Sequence, residues 1–139
     1  MKYYFYLALA LFFINFNLSA EEIEWSDDYD KALIQANKEN KFVYVLITSD
    51  SCRWCRKFEQ TTLIDMDIED RLEEEYVTVH LSRGHNAIPA KFKTSPVPRH
   101  YFLDSNGNIL YDTLGYRDVE LFNSFMDNTK ERYDKKKRK

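Results

Sequence analysis

Phe42-Val43-Tyr44-Val45-Leu46-Ile47-Thr48-Ser49-Asp50-Ser51-Cys52-Arg53-Trp54-Cys55 carries both cysteines of the 139-residue chain, two residues apart. Its first six residues are apolar without a break and rich in β-formers, the composition of a strand buried on both faces. Thr48 to Ser51 supply turn and cap chemistry, and the spacing of Trp54, Phe58, Thr61 and Thr62 predicts a helix opening at the cysteines. Cys52 then falls at a helix N-terminus, where unpaired backbone N–H groups and the positive end of the helix dipole favour a thiolate. Cys55, one turn further in, is placed to attack a mixed disulfide formed at Cys52.

Four chemistries compete for such a pair. Half of a zinc site needs a second pair of ligands, and His80, His85 and His100 do not stand at structural zinc spacings. A c-type haem attachment needs histidine directly after the second cysteine, where this chain has Arg56. An inert structural disulfide across two residues closes almost no loop and constrains the unfolded chain little. Dithiol–disulfide redox chemistry is the reading the spacing favours.

Residues 1–20 have Lys2 as their only charged side chain, an apolar run from Tyr3 to Ile14, and the small residues Ser19 and Ala20 at their end. This predicts a secretory signal peptide over 1–20, with an uncleaved N-terminal anchor as the alternative. Residues 21–133 then suffice for one domain with a substantial core, and 134–139 read as a basic tail, either solvated or drawn to an anionic membrane surface. The net charge of −3 argues against nucleic acid as a partner. Export to an oxidising compartment would require other proteins to keep the cysteine pair in its working state.

Along the chain, Ser26 is expected to cap an amphipathic helix with Tyr29, Ala32, Leu33 and Ala36 on one face, ended by Asn40 and Lys41. Ile68, Leu72 and Tyr76 mark a second helical segment after the cysteine helix, and Tyr76 to Leu81 a strand. A short helix is predicted around Ile88, Pro89 and Phe92. The stiff run Thr94-Ser95-Pro96-Val97-Pro98 leads to a strand over 100–103, a turn over 104–108, and a returning strand over 109–114. Asp118 caps a final helix whose stripe of Leu121, Phe122, Phe125, Met126 and Tyr133 is expected to be core. The order implies an α/β fold: a mixed central β-sheet flanked by helices on both faces.

A strand, then Cys52-x-x-Cys55 at a helix start, then Pro98 shortly before the Asp104-led turn together resemble the thioredoxin superfamily over nearly all of 21–133. The stretches Cys55 to Leu63 and Tyr101 to Gly107 are similar to its periplasmic branch, including the C-terminal domain of transmembrane thiol-disulfide interchange reductases. The resemblance implies a thioredoxin fold with Cys52 and Cys55 as the catalytic sulfurs. It also implies a cis Pro98 facing them, with the Val97 backbone offered to an incoming chain and Trp54 on the rim of the groove. It further implies protein thiol or disulfide substrates, a membrane or periplasmic partner that recharges the pair, a monomer, and no cofactor.

Departures from the family pattern bear on mechanism. Ser51 stands where tryptophan is usual, Leu46 where an acid is commonly buried, and Lys57 where the reductase domains place an acid. With Arg53, Arg56 and Lys57 gathered at the helix start instead, Cys52 is expected to be mostly thiolate at neutral pH and its disulfide strongly oxidising. No base for Cys55 is evident, with His80 and His100 as candidate helpers. The runner-up function is a copper-handling module using Cys52, Cys55 and a histidine.

Overall fold

The computed structural model describes residues 22–139, and the expected signal segment over 1–20 lies outside the described residues. The chain runs β1 (Trp25–Ser26), α1 (Tyr29–Glu39), β2 (Phe42–Thr48), α2 (Arg53–Thr61), α3 (Met66–Glu75), β3 (Tyr76–Ser82), β4 (Arg99–Leu103), β5 (Ile109–Leu114) and α4 (Val119–Lys137). The five strands form one mixed sheet in the order β1-β3-β2-β4-β5. β3 pairs in parallel with β1 and β2, while β4 runs antiparallel to β2 and β5.

β2 is central because both of its faces are apolar. Tyr44 and Leu46 point into a core with Phe102 of β4 and with Phe58, Ile68, Leu72, Phe122 and Met126, drawn from α2, α3 and α4. Val43, Val45 and Ile47 point the other way, against Tyr29, Ala32 and Ala36 of α1 and Phe92 of the β3–β4 connection. Burying each such side chain contributes roughly 1.5–3 kcal/mol, so the strand is anchored from two sides. Its carboxyl end is thereby held fixed, and the cysteines follow directly.

Several local expectations change. The cap of α1 is Asp28, whose carboxylate accepts the N–H groups of Asp30 and Lys31 at 3.1 Å, whereas Ser26 lies in β1 and accepts from Asp28 N–H. β1 itself has no sequence signal, since two residues become a strand only by pairing with Thr78 and Val79. The helix expected near Ile88 is a single turn closed by Phe92 N–H on the Pro89 carbonyl, 3.0 Å. On α4, Phe122, Phe125 and Met126 are core as expected and Thr129 joins them, but Leu121 is exposed. That helix takes in the basic run as far as Lys137, and Lys136 reaches the Asp104 carboxylate at 3.4 Å.

Asp104 organises the β4–β5 turn. Its carboxylate accepts from the Asn106 and Asn108 backbones and the Asn108 amide, at 2.8–3.0 Å for the shortest of each. Burial disfavours the charged form, but these bonds and Lys136 outweigh it and hold the carboxyl below its ordinary value.

Candidate active site

Cys52 occupies the N-cap of α2, and its sulfur accepts the Cys55 N–H at 3.0 Å. A capping residue ordinarily offers an oxygen to the free amides of the first turn; here the sulfur does so. The Cys52 carbonyl accepts Arg56 N–H at 3.2 Å, and its own N–H returns to Ser49 at 3.2 Å, which closes the turn leaving β2. The two cysteines form a disulfide with their Cα atoms 5.2 Å apart. They differ in access: Cys55 is 2% exposed beside Phe58, whereas Cys52 is half-buried at the surface. An incoming sulfur can therefore reach Cys52 first.

Cys52 opens onto a shallow hollow of about 400 Å³ lined also by Trp54, Arg53, Arg83, Pro96 and Val97. The structure thus brings Val97 and Trp54, 43 residues apart in sequence, to the same hollow. The Val97–Pro98 peptide is cis, as is Ser95–Pro96, which the sequence did not suggest. Pro98, which follows Val97, is buried and does not itself line the hollow; its carbonyl accepts Gly115 N–H at 2.8 Å.

Each cation at the helix start has a partner. Arg53 and Lys57 lie over the Trp54 ring at 5.1 and 5.2 Å, and Lys57 also over Tyr116 at 4.6 Å. Arg56 donates to the Asp50 carbonyl at 3.1 Å. The indole, 46% exposed, has both cations near it and lies 6.1 Å from the Tyr116 ring at an interplanar angle of 40°.

The histidines divide into three environments. His100 is wholly buried, with Nδ1 2.8 Å from the Tyr44 hydroxyl and Nε2 2.9 Å from the Gly115 carbonyl. A neutral ring, the form that burial favours, satisfies both by donating from Nε2 to the carbonyl and accepting the Tyr44 O–H at Nδ1. Burial lowers its pKa to about 4, against a weaker upward pull from the Gly115 bond. It is a core residue, not a helper for Cys55. His85 is exposed and bonded to the Asp50 carboxylate at 2.7 Å.

His80 is different. Its Nε2 lies 2.8 Å from Thr48 Oγ1 and 3.6 Å from Glu59 Oε1, in a small cavity with Leu46, Leu63 and Trp25. Burial lowers its pKa and the Glu59 charge opposes this. Glu59 is the residue the sequence reading missed. It stands one turn after Cys55, and that i,i+4 spacing puts both on one face of α2. Leu46 and Lys57 hold the positions where an acid is expected, yet Glu59 supplies a half-buried acid one turn along α2 from the second cysteine. Arg83 was missed too: it follows β3, whose carboxyl end lies beside that of β2, and its N–H donates to the Thr48 carbonyl at 2.9 Å. Among the described residues no three His, Cys, Asp or Glu side chains gather as a metal site.

Residues 29–130 match the family model of a thioredoxin-like domain. A solved structure titled DsbH oxidoreductase superposes with TM-score 0.67 at 19% identity, over 82% of this chain and 89% of that one. A thioredoxin from Thermus thermophilus gives 0.62 at 19%, over 80% and 87%. The oxidised C-terminal domain of Neisseria meningitidis DsbD gives 0.63 at 18%, over 76% and 99%. At these identities the likeness is one of fold. No curated protein sequence matches the chain.

Proposed function

The chain belongs to the thioredoxin-like domain family, and from that premise we propose that it is an exported thiol-disulfide oxidoreductase acting on protein substrates through Cys52 and Cys55. The observation that carries the reading is the asymmetry of the pair: an accessible Cys52 sulfur receiving a backbone N–H at the start of α2, bonded to a Cys55 sulfur that is buried.

In the oxidised form, a substrate thiolate attacks Cys52 Sγ and the Cys52–Cys55 bond breaks. Cys55 leaves as a thiolate and takes a proton. A second substrate thiolate then attacks the substrate sulfur of the mixed disulfide, so that Cys52 leaves and two electrons have passed to the pair. In reverse, Cys52 thiolate opens a substrate disulfide, and Cys55 loses its proton and displaces the substrate from Cys52. Glu59, with His80 beside it, takes that proton. Arg53, Arg56 and Lys57 add to the helix end in favouring the Cys52 thiolate. Val97 and Pro98 shape the groove and Trp54 its apolar rim.

In this reading residues 1–20 direct export to the periplasm, 21–133 are the working domain and 134–139 a basic extension. A separate redox protein recharges the pair, and the domain acts as a monomer. No helix among the described residues is long and apolar enough to cross a membrane. The experiment is a redox titration in graded glutathione buffers, with free thiols counted by alkylation. A reversible two-electron couple supports the reading, and a potential approaching about −120 mV rather than about −270 mV marks an oxidant. Cysteines with no reversible couple would overturn it.

A further inference from the structure

The hollow at Cys52 has a one-signed charge. Both charged residues lining it, Arg53 and Arg83, are cationic, and Arg56 and Lys57 extend the positive charge along the exposed first turns of α2. None of the four is neutralised by a carboxylate among the described residues. Arg53 and Lys57 lie on the Trp54 ring, while Arg56 and Arg83 donate to the backbone carbonyls of Asp50 and Thr94. Asp50, the nearest acid in sequence to Cys52, is bonded to His85. Yet the chain as a whole is acidic, with net charge −3, and α3 carries Asp67, Glu69, Asp70, Glu73, Glu74 and Glu75. The positive rim is therefore a local feature around the reactive sulfur.

We propose that the polypeptide exchanging sulfur bonds at Cys52 is an acidic one, presenting carboxylate side chains beside its reacting cysteine to Arg53 and Arg83. The inference rests on the oxidoreductase reading and names its substrate class. The reaction is unchanged: the partner's thiolate attacks Cys52 Sγ, the Cys52–Cys55 bond breaks, and Cys55 leaves as the thiolate. The charges act on encounter and register, where complementary fields raise association rates and salt removes the gain. An aromatic or apolar residue next to that cysteine has the Trp54 ring to rest on.

The test uses the oxidised protein and two synthetic peptides, each with one cysteine, flanked by glutamates in one and by lysines in the other. Flanking charge also changes a peptide thiol's own reactivity, so each rate is divided by that peptide's rate with bis(2-hydroxyethyl) disulfide. For every protein variant the rate with neutral 2-mercaptoethanol is the reference. The glutamate peptide is expected to open the disulfide faster by on the order of tenfold at low ionic strength. The preference should shrink toward unity in about 0.5 M salt, where the screening length falls to a few ångström. It should weaken in Arg83→Glu and reverse in Arg53→Glu/Arg83→Glu. Equal corrected rates, or a preference unaltered in the double variant, would overturn the acidic partner while leaving the oxidoreductase reading intact. A disulfide that no thiol opens, mercaptoethanol included, would overturn both.

Discussion

Glu59 Oε1 and His80 Nε2 lie 3.6 Å apart beneath α2, joining the helix that carries Cys55 to the strand that runs beside β2. Cys55 is buried, and in the proposed mechanism it gives up a proton whenever it displaces a substrate from Cys52. A positioned base contributes on the order of 10²-fold. Because this pair is only half-buried and water can substitute, Glu59→Gln is expected to slow resolution of the mixed disulfide by about tenfold. Alkylation of Cys52 in the reduced protein should change far less. Stopped-flow rates for the two steps separate them, and equal slowing of both would remove Glu59 from the Cys55 step.

The unequal exposure of the sulfurs makes the two cysteine variants distinguishable. Cys52→Ser should show no measurable exchange with protein disulfides. Cys55→Ser should still react once and then stall as a mixed disulfide. Non-reducing electrophoresis and intact mass would show that adduct, and its appearance in Cys52→Ser instead would reverse the assigned roles.

His100 gives acid sensitivity of known sign. Its folded pKa of about 4 lies below the ordinary 6.5, so the unfolded chain binds the extra proton between those values. The stabilisation from the neutral ring is complete above about pH 6.5 and is lost as pH falls toward about 4. The difference corresponds to about 3 kcal/mol. His80, also lowered by burial, adds in the same direction. Urea unfolding of the oxidised protein at pH 7.5 and pH 4.5 should show this loss. His100→Gln, although less stable at pH 7.5, should lose less over the same interval; an equal loss in both would mean other groups carry it.

Gly107 tests the turn that Asp104 organises. Its φ is +81°, and a Cβ there would stand 2.9 Å from the Tyr29 hydroxyl and 3.2 Å from Leu33 of α1. Lys91 ties the same point down, donating to the Gly107 carbonyl and the Tyr29 hydroxyl at 2.6 and 2.8 Å. Gly107→Ala is expected to cost about 1–3 kcal/mol, from the left-handed backbone and the contact together. Thermal unfolding should fall by several degrees. An unchanged midpoint would mean that α1 and the turn move apart freely.

The cysteine site was legible in the chain because its causes are local. A continuous apolar run makes β2, turn residues end it, and Cys52 stands where the next helix must begin. The alternation of Tyr44 and Leu46 with Val43, Val45 and Ile47 between two cores follows from the pleat alone. The cap of α1 was misplaced by two residues because Ser26, Asp27 and Asp28 all carry capping side chains, and only the pairing of β1 with β3 takes Ser26 out of contention.

Sequence by itself thus determined the fold class, the strand that leads into the pair, and the order of access to its two sulfurs, since each depends on neighbours a few residues apart. Only the tertiary structure decided what surrounds them. Val97 and Arg83 reach Cys52 because the carboxyl ends of β2 and β3 and the approach to β4 converge there. Glu59 meets His80, and His100 is sealed between Tyr44 and Gly115, through contacts spanning 15 to 56 residues that no local pattern encodes.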